Sequence, residues 1–472
     1  MSANKPQTIQ HATSPARGSS PLPDGPDATA SDEADAPTFV QTLLQTWPLL
    51  LGCGVLNVGN GLQSTLLGVR AGLEGYPGIV IGLLMGAFYL GFIVGAYWTP
   101  QAVRAVGGIR VFAALASVAS VAILIHAVFV DPIVWIGVRM LTGFCIAGMV
   151  IVAESWLNQS TDNRGRGQLL AAYMLISFAG LAGGQAMISV ASPMLPTLFM
   201  AASVLISVAA VPLLLTATRT PTVIENETVS FRRLYRVSPL GTVGTFIAGI
   251  INGSLIGMGA VYTQALGFSV TEISVFMTVV VLGGALMQWP IGRVSDLIDR
   301  RAAIVFVSLG AALCAVIAMM TQSTLPVAFI VAMTLFGGFG LSTLALCIAH
   351  TNDYLEPTEL VGASSGLVLL MALGSALGPF VVGAILEPFG PISYPVWLAT
   401  ISCALGAFTL WRMLQRRSLP AEEQGPYVAV AQTTSAVAVQ VAEEFHSDEV
   451  QAESDADELA SRARRLDDSV GD

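Results

Sequence analysis

Twelve long apolar runs punctuate the chain, at 43–66, 78–100, 108–129, 132–155, 167–190, 194–216, 240–262, 272–292, 302–321, 325–349, 361–385 and 393–412. Each is near the ~20 apolar residues that a helix needs to cross the hydrocarbon core of a bilayer. The runs are continuously apolar rather than alternating, so they predict spanning helices and not the strands of a barrel. The longest break, 217–239, holds Glu225, Glu227 and the arginines Arg232, Arg233 and Arg236. It reads as a linker between two six-helix halves, 39–216 and 240–415. The expected fold is an all-α polytopic membrane protein, with twelve transmembrane helices in two six-helix pseudo-repeats.

Composition agrees with the pattern. Apolar residues make up 54% of the chain, charged residues 11%, and the mean hydropathy is +0.71. A soluble protein averages roughly 25% charged residues, so lipid must solvate much of this surface. The net charge of −10 belongs to the ends. Residues 1–38 and the stretch after Arg412 are acidic, whereas the body between them is close to neutral. Both ends, 1–38 and 416–472, are too polar to bury a core and are expected to be disordered, with a short helix near 450–466 as an option. The first stretch has no apolar core beside a cleavage site, so no cleavable signal is expected. Arginine placement sets the orientation. If both tails are cytoplasmic, the cytoplasmic loops carry Arg104, Arg110, Arg164, Arg166, Arg219 and the 232–236, 293–301 and 412–417 clusters, while the outer loops carry only Arg70. Such a bias places both tails inside.

The halves repeat. Asn60 and Gly61 recur 192 residues on as Asn252 and Gly253, and Gly75 and Tyr76 recur at the same offset as Gly267 and Phe268. The basic turn at Arg104–Gly107 falls opposite Asp296–Asp299, and Glu154 falls opposite His350 at an offset of 196. Two such halves related by an axis along the membrane normal are one known transporter architecture.

The turn after the eighth run carries Gly292, Asp296, Arg300 and Arg301, with Asp299 in place of a glycine. It resembles the loop signature of the major facilitator superfamily, Gly-x-Leu-Ala-Asp-Arg-x-Gly-Arg-Arg. The resemblance covers about 40–415 and implies an inner-loop latch that bridges helix ends. In the first-half counterpart Gly107 matches, but Arg104 stands where the acid belongs, so the latch is expected to be one-sided or differently wired. In the fourth run Arg139 and Gly143 resemble the family's Arg-x-x-x-Gly pattern, whose arginine is tied to proton coupling. The antiporter-type Gly-Pro of the fifth helix is missing between Gly180 and Gln185, and Gly378-Pro379 lies in the eleventh run instead. That departure argues against a drug/proton antiporter. The segments Glu154–Asn158 and Ala349–Asp353 are similar to a YcaD-like bacterial branch.

Charges inside a membrane are costly unless paired or wet. Arg139 is therefore a candidate for substrate-anion or proton-coupling chemistry, against the plainer reading of a snorkelling or helix-capping arginine. Glu154 shares its helix face but lies roughly 22 Å along the axis, so the two are not a direct pair. Glu154 and His350 sit at equivalent helix ends, suited to proton uptake, gating or loop bracing. Asn57, Asn60 and Ser64, with Gln63 alongside, form a polar stripe that fits a wet cavity or interhelical hydrogen bonding. Asn252, the repeat mate of Asn60, favours the cavity. Gln185, Gln264 and Gln288 are further candidates. His126 reads as structural, Trp156 as an interface anchor, and the acids Asp353, Glu356 and Glu359 as a solvated loop, with pairing to arginines of neighbouring inner loops as the alternative.

Cys53, Cys145, Cys314, Cys347 and Cys403 have no metal or redox spacing and read as small apolar residues. No phosphate-cradling glycine loop, metal-ligand cluster or nucleophile triad stands out. The expectation is thus a secondary active transporter, not an enzyme, with no cofactor and no metal. It would move a small molecule across the bacterial inner membrane by alternating access, with protons as coupling ions. Its surroundings are the lipid bilayer, no nucleic acid is bound, and a monomer is expected. The competing classes are a membrane sensor or partner-recruiting scaffold on the same fold, and an integral-membrane enzyme for which no catalytic constellation is visible.

Overall fold

A computed structural model describes residues 39–160, 163–216, 230–355 and 357–415, together with Gln424, Gly425, Tyr427, Ala429 and Ser435. The expectations for the remaining tail residues, for 217–229 and for Glu356 lie outside the described residues. All regular structure among the described residues is helical. The first half comprises α1 (Phe39–Leu73), α2 (Gly78–Val106), α3 (Gly108–Val128), α4 (Pro132–Gln159), α5 (Asn163–Ala186) and α6 (Thr197–Thr216). A short α7 (Phe231–Val237) ends the linker. The second half comprises α8 (Pro239–Asn252), continued through a π-helical turn, Gly253–Gly257, into α9 (Met258–Ala265). It goes on with α10 (Val270–Leu297), α11 (Arg300–Thr321), α12 (Pro326–Asn352), α13 (Pro357–Phe389) and α14 (Ser393–Gln415). Eleven spans among the described residues are long and apolar enough to cross a membrane, with α8 and α9 counted as one. The 35-residue α1 stands beside them, and the expected twelve-helix architecture holds. The end of the bundle bearing α7 and the 298–299 turn is called here the linker end, and the opposite one the far end.

Local chemistry starts the helices where the sequence places them. Asp131 caps α4 by accepting from the Ile133 and Val134 amides at 2.9 and 3.0 Å, with Pro132 in the first turn. Ser269 and Glu272 form a reciprocal capping box at α10. These devices satisfy amides that have no partner inside the helix.

The repeat is written into the packing. Gly75 and Gly267 both take positive φ, at 74° and 86°. Each closes its helix identically, with Tyr76 N donating to Ala71 O and Phe268 N to Thr263 O, both at 3.1 Å. Glycine tolerates that backbone without a Cβ clash. A Cβ on Gly143 of α4 would run into the Phe88 carbonyl of α2, and one on Gly337 of α12 into the Val280 carbonyl of α10. Without side chains there, paired helices approach backbone to backbone, as membrane helices do in the absence of a strong hydrophobic drive.

The two halves meet at the far end. Gly78, Gly82 and Gly86 of α2 face Gly383, Pro379 and Ala376 of α13. Ser274 Oγ on α10 donates to the Ala186 and Gln185 carbonyls of α5 at 2.9 and 3.1 Å. Gln264 Nε2 reaches the Val69 carbonyl at 3.2 Å. In contrast, α4 and α12, which carry Glu154 and His350 at the linker end, do not pack along each other. Lone apolar side chains that look outward, such as Leu286, Phe306 and Leu414, suit a lipid-facing surface.

One local expectation changes, and the acids after α12 take the paired alternative. Trp156 is not an interface anchor: it is buried, its ring 5.9 Å from that of Phe112, because the α3–α4 contact needs a large filler there. Asp353 is not solvated but pairs with Arg300 at 2.6 Å, both nearly inaccessible. Glu359 pairs with Arg233 of α7 at 2.8 Å.

Candidate functional site

Midway through the bundle, α1, α2, α4 and α5 of one half and α8 with its π-helical turn of the other enclose a cavity. It holds about 400 Å³ of non-protein space, open solvent included. Its polar lining is Asn60, Ser64, Tyr89, Arg139 and Asn252, and its apolar lining is Met85, Phe88, Leu181, Ile256 and Gly257. The repeat mates Asn60 and Asn252 thus enter one cavity from opposite halves.

Arg139 is 2% exposed and lies over the Phe88 ring, its guanidinium carbon 4.5 Å from the centroid. The contact is a cation–π arrangement. It depends on glycine at 143, one turn further along α4, which lets α2 come close enough to bring Phe88 under the guanidinium. Arg139 Nε and Nη1 are buried with no partner among the described residues. Asn252 Nδ2 donates to the Tyr89 hydroxyl and to Ser375 Oγ, both at 3.4 Å. Asn60 Oδ1 and Asn252 Oδ1 have no donor among the described residues. No carboxylate lines the cavity among the described residues.

The other sequence candidates fall elsewhere. Asn57 is buried one turn away and donates to the Cys53 carbonyl at 3.0 Å and to Ser177 Oγ at 3.5 Å, tying α1 to α5. Gln63 and Gln185 are fully buried, with amide atoms unpartnered among the described residues. Gln288 is buried in α10. Gln264 belongs to the far-end closure. His126 packs parallel to Phe199, and its Nδ1 donates to the Ala122 carbonyl at 3.1 Å.

At the linker end, Glu154 is buried and accepts from the Tyr173 hydroxyl at 2.9 Å. It also accepts from the Ser435 amide at 3.1 Å and from the Ser435 hydroxyl. His350 lies edge-on to Tyr354 in a recess with Ser238, Arg301 and Arg412.

The 292–301 signature builds a compact cluster. Arg300 bridges Asp353 and Asp296, and it also donates to the Gly425 carbonyl. Gly425 N and Tyr427 N in turn donate to Asp353 and Asp296, at 3.1 and 2.8 Å. Burial pushes the Asp353 carboxyl up from its ordinary range, more than Arg300 and the Gly425 amide pull it down. Burial also raises Asp299, but hydrogen bonds from Arg301 outweigh it and leave that carboxyl below its ordinary range. A Cβ on Gly292 would meet the Tyr427 ring, so glycine makes room for the C-terminal segment. Sequence reasoning missed this docking, because nothing in the spacing of residues 424–435 announces a partner. It also missed Tyr89, whose hydroxyl lies in the middle of an apolar, glycine-rich run and which could have been singled out on that ground.

A helical bundle in two repeated halves with a shared polar cavity at mid-depth is the architecture of a multi-pass membrane transporter. Residues 241–443 match the family model of the Major Facilitator Superfamily. The chain is 28% identical over 360 residues to an MFS-type transporter, YcaD, of Escherichia fergusonii, covering 75% of this chain and 92% of that one. It is 27% identical over 362 residues to YcaD of Salmonella newport, with the same coverage. Among solved structures, the nucleoside transporter NupG superposes with a TM-score of 0.62 at 13% identity, covering 79% of this chain and 100% of that one. A bacterial homologue of the human lysosomal transporter Spinster, inward-facing and unoccupied, superposes with a TM-score of 0.59 at 14% identity, covering 87% and 97%. The second half of the chain thus matches the major facilitator superfamily model, and over three quarters of its length the chain is similar to YcaD-type transporters of that superfamily.

Proposed function

We propose that this protein carries a small solute across the bacterial cytoplasmic membrane by alternating access, with both termini in the cytoplasm. The observation that carries this reading is the cavity shared by Asn60 and Asn252, with the halves packed together beyond it at the far end. In this reading the described state faces the cytoplasm, as the inward-facing Spinster homologue does. The arginine bias of the linker end supports the orientation. Proton coupling belongs to the same reading: Glu154 and His350 are the titratable groups at the linker ends of α4 and α12.

Spin labels on Leu73 and Leu325, both exposed at the far end, and on Val106 and Leu297, both exposed at the linker end, report the motion. Double electron–electron resonance in nanodiscs should give two distance populations at each end, changing in opposite directions. A single fixed distance at both ends would favour a static sensor or scaffold. Cysteine at position 297 should react with an impermeant thiol reagent only in inverted vesicles; reaction in intact cells would reverse the orientation.

A further inference from the structure

Among the described residues the cavity contains a cation and no anion. Arg139 is almost completely buried, and two of its guanidinium nitrogens have no protein partner among the described residues. Every other polar lining residue is neutral. Charges withdrawn from water are normally paired, and an intramembrane charge without a partner points to a ligand or ion pathway. Phe88 beneath the guanidinium offsets part of the lost hydration and leaves the rim of the group free. The same charge repels cations from the cavity, and in so poor a dielectric that repulsion is long-ranged.

Resting on the transporter reading, we propose that the solute is a small monocarboxylate bearing a hydroxyl or N–H donor, with Arg139 as its counter-charge. One arginine matches one carboxylate. The amide oxygens of Asn60 and Asn252 are acceptors without donors among the described residues, so they suit a donor on the solute and reject a bare hydrocarbon acid. Met85, Leu181 and Ile256 surround its apolar body.

The test is calorimetric binding to the full chain in nanodiscs, with a 2-hydroxy acid series running from lactate through 2-hydroxyisocaproate to mandelate. For each member, the corresponding amide and the analogue lacking the hydroxyl are compared. Leucinol serves as the cationic control. At least one hydroxy acid should bind, its amide and its deoxy analogue each at least tenfold more weakly, and leucinol not at all. Arg139→Gln should weaken the acid at least tenfold while leaving amide binding unchanged, and Arg139→Lys should recover part of the loss. Amides or leucinol binding as tightly as the acids, or an Arg139→Gln protein that binds acids normally, overturns the assignment. So does a series in which no carboxylate binds to protein with a normal melting curve. The distance exchange between the labelled ends is read without any ligand, so it decides the transporter reading separately.

Discussion

The side-chain amide of Asn252 reaches the Tyr89 hydroxyl at 3.4 Å, across the boundary between the two halves at the level of the cavity. The bond exists only while α2 and α8 are this close. Replacing Tyr89 with Phe keeps the ring and removes the bond. A hydrogen bond of this kind contributes about 1 kcal/mol, which is about a fivefold shift in a two-state equilibrium. Tyr89→Phe should therefore deplete the far-end-closed population by about that factor, read as the ratio of the two distance peaks. An unchanged ratio would mean that the contact does not distinguish the states.

Backbone contact between α2 and α4 gives a sharper contrast on one helix. Gly143→Ala would press its methyl into the Phe88 carbonyl, whereas a Cβ at Gly137 meets nothing within 4 Å. Overpacking should cost Gly143→Ala ~2 kcal/mol or more. Gly137→Ala should stay within about 0.5 kcal/mol of the parent. Thermal unfolding in one detergent compares them, and equal melting temperatures would refute the close approach.

The linker-end acids should separate by burial. Asp353→Ala leaves the Arg300 guanidinium buried beside Asp296 alone and should cost about 3 kcal/mol. Asp299→Ala breaks a pair whose acid is 28% exposed and should cost about 1 kcal/mol or less. Because the Asp299 carboxyl sits below its ordinary range, its increment is present above that range and disappears as pH falls through the depressed value. Melting curves of the Asp299→Ala protein and its parent should accordingly converge on acidification.

Docking of the C-terminal segment is open to a chemical probe. Ser342 is buried beside Tyr427, and its hydroxyl donates to the Gly338 carbonyl at 2.8 Å. In a background lacking the native cysteines, Ser342→Cys should react slowly with a hydrophilic maleimide in the full chain. Truncation after Arg417 should accelerate the reaction by about tenfold or more and leave the helical spectrum unchanged. Equal rates would show that the segment does not cover α12 in solution.

Much of this was legible in the chain. Helix positions follow from unbroken apolar runs, since a bilayer admits few other solutions. The pairings of Asn60 with Asn252 and of Gly75 with Gly267 recur at a constant spacing, and the packing repeats them. The 292–301 turn carried the family resemblance. Yet the same stripe that contains Asn60 contains Asn57, and only packing separates them: Asn57 turns to Ser177 of the neighbouring helix, while Asn60 faces the cavity.

The sequence by itself determined that the chain spans the membrane repeatedly, where it crosses, and that its halves are copies, because those features depend on local hydrophobicity and on periodicity along one strand of residues. Tertiary structure alone decided that Arg139 lies over Phe88, that Tyr89 meets Asn252, and that Arg300 joins Asp353 and Gly425. These contacts join residues tens to hundreds of positions apart, and their partners are chosen by how helices approach, which no local pattern encodes.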